Sequence, residues 1–185
     1  GRFFIQNLAR YFESALQKIH PSEKPYIIYG DTDSIYYHIE PQMEAIERKY
    51  PGSDIDFLVS KANEIEEKIM QPVIKEAIDS FCERLNAYNP KVIWAEREII
   101  ADSAVFVQKK KYFARVRDSE GVRYPSNEPY IKVMGLEIIK SSTPKWSQKK
   151  LKEAIPLFLD STEADARSWV KDLRNSFSSN NLLDI

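Results

Sequence analysis

The stretch Tyr29-Gly30-Asp31-Thr32-Asp33-Ser34-Ile35-Tyr36 (YGDTDSIY) decides how the chain is read. It lies between the apolar run Tyr26 to Tyr29 and the alternating run Ser34 to Ile39, the pattern of two short strands joined by a turn at Gly30 to Asp33. Along the second strand Ile35, Tyr37 and Ile39 share one face, and Ser34, Tyr36 and His38 the other. In extended backbone residues two apart point the same way, so Asp31 and Asp33 can share a side unless the turn breaks that parity. Two carboxylates this close repel unless a proton or cation stands between them, and a hard divalent ion such as Mg²⁺ suits oxygen ligands held in this way. Aspartate is also an ordinary turn residue, so Asp-x-Asp alone admits both readings.

Ahead of the hairpin, Phe3, Phe4, Leu8, Tyr11, Phe12, Ala15, Leu16 and Ile19 recur at helical spacing and predict an amphipathic helix over 2–19. From Asp54 to about Asn86 the series Leu58, Ala62, Ile65, Ile69, Val73, Ala77, Phe81, Leu85 is helical, with a kink or a fresh start expected at Pro72. After Asn89-Pro90, the segments 92–100, 104–108, 112–117 and 130–133 are rich in aromatic and β-branched residues and predict strands, with turns at 118–121 and 125–129. Ser141-Ser142-Thr143-Pro144 predicts a helix cap with proline at the first helical position, then helices to about Leu159 and over 162–177. The sum is an α+β chain: an antiparallel sheet packed on helices, followed by a small helical segment.

The net charge of −1 excludes a globally basic nucleic-acid binder, so any such surface needs local segregation of charge. Segregation is present. Ten acids face five Lys or Arg between Glu40 and Asp79, Lys109, Lys110, Lys111, Arg115 and Arg117 crowd into nine residues, and Lys140 to Lys152 holds five lysines and no acid. Either run can also be simply a solvated face. Cys82 is the only cysteine, so no intrachain disulfide forms, and its helical register predicts a small buried side chain. No apolar run approaches bilayer length, and with no signal-peptide layout the expectation is a soluble, intracellular protein. Trp94, Trp146 and Trp169 are expected to pack rather than stack on bases. Gly1, with helical pattern already under way at Phe3, reads as the start of a piece cut from a longer protein.

The hairpin stretch resembles motif C of the family B DNA polymerases, in which Tyr-Gly-Asp-Thr-Asp-Ser forms a metal-bearing hairpin of the palm. Three further resemblances follow in the family's order. KKKYFARV at 109–116 looks like the Lys-Lys-Arg-Tyr motif that contacts primer-template duplex. KVMGLEIIKSSTPK at 132–145 resembles the palm-to-thumb junction of the T-even-type bacteriophage enzymes, and AEREIIA at 95–101 a palm strand with acids near the site.

The resemblance implies palm over residues 1–137 and the helical start of the thumb over 138–185. It implies that Asp33 is the direct metal ligand, that Asp31 supports it, and that Gly30, Thr32 and Ser34 shape the hairpin. Two Mg²⁺ ions, with Mn²⁺ as a substitute, would serve template-directed nucleotidyl transfer. Lys109, Lys110, Lys111, Tyr112, Lys140, Ser141, Ser142, Thr143 and Lys145 would meet the duplex. Lys111 stands where the family usually has arginine, and lysine lacks arginine's planar bidentate contact. Glu96 and Glu98 would be supporting acids, or else a solvent-facing pair flanking Arg97.

The partners implied are primer-template DNA, a deoxynucleoside triphosphate, an amino-terminal polymerase portion carrying motifs A and B, and a sliding clamp through regions outside this chain. The location implied is the cytoplasm of an infected bacterium. No stretch here matches motif A or B, so the chain is expected not to polymerise DNA alone, whether it is an excised piece or one subunit of a split polymerase. A non-catalytic duplex-binding module and a metal-dependent nuclease are the alternatives.

Overall fold

The computed structural model describes residues 2–87 and 93–179. Helix α1 (Arg2–Ile19) leads into the hairpin β1 (Ile27–Gly30) and β2 (Ile35–Tyr37), then α2 (Glu40–Lys49), α3 (Ile55–Ile65) and α4 (Gln71–Arg84). Strands β3 (Ile99–Gln108), β4 (Lys111–Ser119), β5 (Val122–Arg123) and β6 (Tyr130–Met134) come next, followed by α5 (Lys145–Asp160) and α6 (Glu163–Ser179). The α+β class expected from the sequence is what the chain adopts, with antiparallel strands packed on helices.

The chain forms two compact units, the first made of residues 1–100 and 118–127, the second of 101–117 and 128–185. In the first unit α1 packs on α4, and Leu8, Phe12 and Leu16 at four-residue spacing meet Met70, Val73, Ile74, Ala77, Ile78 and Cys82 in one core. Tyr26, fully buried, joins that core and donates its hydroxyl to the His20 carbonyl at 2.6 Å, which fixes the chain between α1 and the hairpin. Asp54 caps α3 by accepting from the Phe57 amide at 2.8 Å. The long helical pattern carries a π turn at Glu66–Met70 and restarts as α4, whose first turn holds Pro72. The missing N–H of proline costs least in a first turn, and the wider turn ahead of it makes room for the ring.

In the second unit, β4 and β6 pair antiparallel with Tyr112 opposite Met134 and Val116 opposite Tyr130. Phe113, Ile138 and Ile155 form its core, with Val105, Ile131, Val133, Leu136 and Leu159 against them. Arg115 bonds Asp102 at 2.8 Å and Asp160 at 2.6 Å, and Arg117 bonds Asp102 at 2.9 Å, so this sheet is tied internally by ion pairs.

Four differences from the sequence reading have physical reasons. Helix α2 carries no apolar stripe in the sequence because none of its residues is buried, leaving charge and a few half-buried apolar side chains as its pattern. The two strands expected over 92–100 and 104–108 are one strand from Ile99 to Gln108, with residues 93–98 outside regular structure and Val92, like Asn89-Pro90, outside the described residues. Pro144 is itself the N-cap of α5, in extended backbone, rather than the first helical residue. Trp94 is 71% exposed and packs on little, whereas Trp146 lies against Phe177 and Trp169 against Phe158. Among the described residues no helix is long and apolar enough to cross a membrane.

Candidate nucleic-acid and metal site

The base of the hairpin is held by the first unit's core. Phe12 meets the Tyr37 ring edge-on at 4.8 Å, the Ile27 amide donates to Glu13 at 2.8 Å, and the Tyr37 hydroxyl donates to Glu66 at 2.6 Å. Glu66 is buried and also accepts from Gln71 Nε2 at 2.6 Å, so both its oxygens are satisfied. Burial, reinforced by the Glu66 charge, pushes the Tyr37 phenol well above its ordinary value, keeping it neutral and a donor. This buried pair links β2 to the π turn, and so fixes the strand that carries the tip.

At the tip the two strands pair Gly30 with Ile35, and the Asp31 amide donates to the Ser34 carbonyl at 2.9 Å to close the turn. The two aspartates then part. Asp31 is half-buried. Its Oδ1 accepts from the Thr32 amide at 2.8 Å and the Thr32 hydroxyl at 3.3 Å, and its Oδ2 meets the Tyr29 hydroxyl at 3.5 Å. Asp33 is exposed, and its carboxylate makes no hydrogen bond or ion pair among the described residues. Gly30 has ordinary backbone, and a Cβ there would lie 3.8 Å from the Ser34 carbonyl, so nothing local demands glycine.

The donor chemistry fits a hard divalent cation in part. Asp33 offers an uncommitted carboxylate, and Asp31 is oriented by its own turn through Oδ1. Among the described residues no group of three or more His, Cys, Asp and Glu is gathered for a metal ion, so further ligands would come from water or another segment.

The lysine segment lies in the second unit. Lys109 and Lys110 form the two-residue turn between β3 and β4, both exposed, and Lys110 has φ of 62°, a left-handed conformation that costs a non-glycine residue about 1–2 kcal/mol. Gly135, with φ of 63°, presses against this turn: a Cβ there would lie 2.1 Å from the Lys110 carbonyl oxygen and 3.3 Å from the Lys111 side chain. Tyr112 is buried, its ring 5.4 Å from that of Phe106, so it lines the turn from within instead of offering an open face.

Beyond Gly135, Glu137 opens a 3₁₀ turn and takes the Lys140 ammonium at 2.5 Å, with the Thr143 hydroxyl at 3.4 Å. Lys140 holds the Glu137 carboxyl below the usual range, opposed by burial and helped by Thr143 and by the charge of Lys111. Ser141, Ser142 and Lys145 are exposed on the way into α5, and Thr143 is half-buried. The 109–111 turn thus lies against Gly135 and near Glu137, which in turn holds Lys140.

Arg115 and Arg117, part of the basic run read from the sequence, point into the sheet's ion pairs instead. Glu96 and Glu98 are exposed and flank the half-buried Arg97, which bonds Asp118 at 2.6 Å. Two contributors escaped the sequence reading, Gly135 and Glu137. For the glycine a signal existed, since it follows a strand and precedes the basic junction.

No protein-family model matches the chain. Over 175 residues it is 34% identical to a DNA-directed DNA polymerase of Escherichia phage RB69, which covers 88% of this chain and 19% of that protein. Over 188 aligned positions it is 29% identical to a DNA-directed DNA polymerase of Enterobacteria phage T4, covering 96% of this chain and 20% of the relative. The chain is therefore similar, along most of its length, to about one fifth of a T4-type phage DNA-directed DNA polymerase.

Proposed function

We propose that the chain is a segment of a DNA-directed DNA polymerase of family B, carrying the metal-bearing hairpin and part of the primer-template surface. Palm corresponds to residues 1–137 and the base of the thumb to 138–185. The observation that carries this reading is the inequality of the two hairpin carboxylates, Asp31 tied into its turn and Asp33 exposed and uncommitted.

Asp33 would hold Mg²⁺ directly, with Mn²⁺ as a substitute, and Asp31 would orient the turn and touch the ion through water. Bound, two such ions would supply charge neutralisation at an attacking 3′ oxygen and a leaving pyrophosphate. The chain's own work is to position: the Tyr37–Glu66 pair holds the hairpin, and Lys109 to Lys111, Lys140, Lys145, Ser141, Ser142 and Thr143 hold duplex phosphates. Motifs A and B would come from an amino-terminal portion, in the same polypeptide or in a separate subunit, so the chain alone is inactive. Template, primer and deoxynucleoside triphosphate are the partners of the assembled enzyme, which would act in the cytoplasm of an infected bacterium and could meet a sliding clamp elsewhere on its surface.

Titration with Mn²⁺, followed by water-proton relaxation, tests the metal assignment. Asp33→Ala is expected to abolish the hairpin's enhancement and Asp31→Ala to weaken it; an Asp33→Ala chain that binds Mn²⁺ as before would sink it. Mixing the chain with a candidate amino-terminal half should restore primer extension, and Asp33→Ala should remove it again.

A second reading, a duplex-binding module without catalysis, is favoured by the clustering of the two basic segments in one unit while no metal cluster is gathered among the described residues. Both readings expect Lys110→Ala with Lys111→Ala to weaken duplex binding and to lower the slope of log K against log salt by about 1.8, at about 0.9 per phosphate contact. An unchanged slope in a titration across salt concentrations would remove these lysines from the interface. The metal titration separates the two readings.

A further inference from the structure

We propose that Glu137 sets the affinity of the second unit for duplex DNA, as a built-in counter-charge that engages Lys140 and partly neutralises Lys111 until a backbone phosphate displaces it. The inference rests on the reading of this face as a duplex-binding surface.

The geometry makes one partner fixed and the other exchangeable. Glu137 follows Gly135 in the tight turn against Lys110, and its neighbour Ile138 is buried in the second unit's core with Phe113 and Ile155, so the carboxylate cannot travel far. The Lys140 backbone is held as well, its carbonyl accepting from Gln148 Nε2 at 2.7 Å and from the Thr143 amide at 3.1 Å. The long Lys140 side chain is therefore the mobile element. Its ion pair is open to water, the two side chains being 46% and 53% exposed, so solvent screening keeps it weak enough for exchange. A phosphate offers the same ammonium a charge-assisted bond of similar strength, and releases condensed counterions from the duplex besides.

Glu137 then works against binding in two ways. It competes for the Lys140 head, and once displaced it stays as a negative charge beside the phosphate. The acid is near Lys111 as well as Lys140, so its effect extends to Lys111, whose charge already acts on it. Non-specific anions meet the same obstacle, and only a ligand that engages both segments at once compensates it.

The test is an anisotropy titration of a labelled primer-template duplex with the chain, at several salt concentrations. Glu137→Gln keeps the shape and an acceptor for Lys140 and Thr143 while removing the charge. It is expected to bind roughly three- to tenfold more tightly at low salt, with a similar salt slope, because Lys140 meets its phosphate in both chains and only the competing charge is gone. Lys140→Ala is expected to bind more weakly with a shallower slope, and adding Glu137→Gln to it should recover less than Glu137→Gln gains alone. Glu137→Gln binding no tighter than the unsubstituted chain, with the same thermal midpoint, would make Glu137 a brace of the turn and overturn the proposal. Should Glu137→Gln fail to fold, Glu137→Ala carries the same comparison. Lys140→Ala without effect on affinity or slope would overturn the duplex-binding reading of this face itself, and that outcome is distinct from failure at Glu137 alone.

Discussion

Asp118→Ala is expected to destabilise the first unit by about 3–5 kcal/mol, the range for removing one partner of a buried ion pair. Asp118 is 3% exposed at its side chain. It receives Arg97 Nη1 at 2.6 Å and the Gly121 amide at 3.1 Å on one oxygen, and faces Arg123 at 3.6 Å with the other. Alanine leaves the Arg97 guanidinium, itself only 17% exposed, without its anion, and takes the acceptor from the turn at Gly121. An uncompensated charge in that setting costs more than the pair contributed, because it must be desolvated with nothing in return. Asp118→Asn keeps an oxygen for the Gly121 amide and should lose less. Urea denaturation followed by far-ultraviolet circular dichroism measures both, and an Asp118→Ala loss below about 1 kcal/mol would place Arg97 in water instead.

Gly135→Ala is expected to cost on the order of 3 kcal/mol, since it adds left-handed strain of about 1–2 kcal/mol to a collision that must be relieved by moving backbone. The new Cβ would lie 2.1 Å from the Lys110 carbonyl oxygen, and a peptide carbonyl cannot swing aside as a side-chain tip can. The turn that yields is the one holding Lys109 and Lys110. Lys110 is already left-handed at φ 62°, so the displacement acts on a strained link. The thermal midpoint should fall and duplex affinity should fall with it. A Gly135→Ala chain with an unchanged midpoint would mean the two turns separate at no cost. At Gly30 and Gly52 alanine meets no such obstacle from packing, Gly30 having ordinary backbone and Gly52 open space with only its φ of 79° to strain it.

How much of this was legible in the sequence depended on whether a residue's role is local. The hairpin was legible because apolar runs on either side of Gly-Asp-Thr-Asp carry strand and turn chemistry within a few residues of each other. Helix α1 and the α3–α4 stretch were legible because their buried faces repeat at helical spacing. Helix α2 buries nothing, so its stretch carried no stripe to read. The inequality of Asp31 and Asp33 came to the sequence reading through resemblance to a family, while in the structure it has a local cause, the Asp31 carboxylate folding back on the Thr32 amide. Spacing along β4 put Arg115 and Arg117 among the basic residues, and only the sheet reveals Asp102 and Asp160 beside them. Glu137 looked like one acid ahead of a lysine-rich run. The 3₁₀ turn it opens is what brings it to Lys140 and near Lys111, more than twenty residues away in the chain.

The lone thiol has a consequence for how the first unit can be watched. Cys82 is buried in the core between α1 and α4, and the chain has no other sulfhydryl. Alkylation kinetics therefore clock the breathing of the hairpin's own foundation. A cation that braces the hairpin would slow that clock.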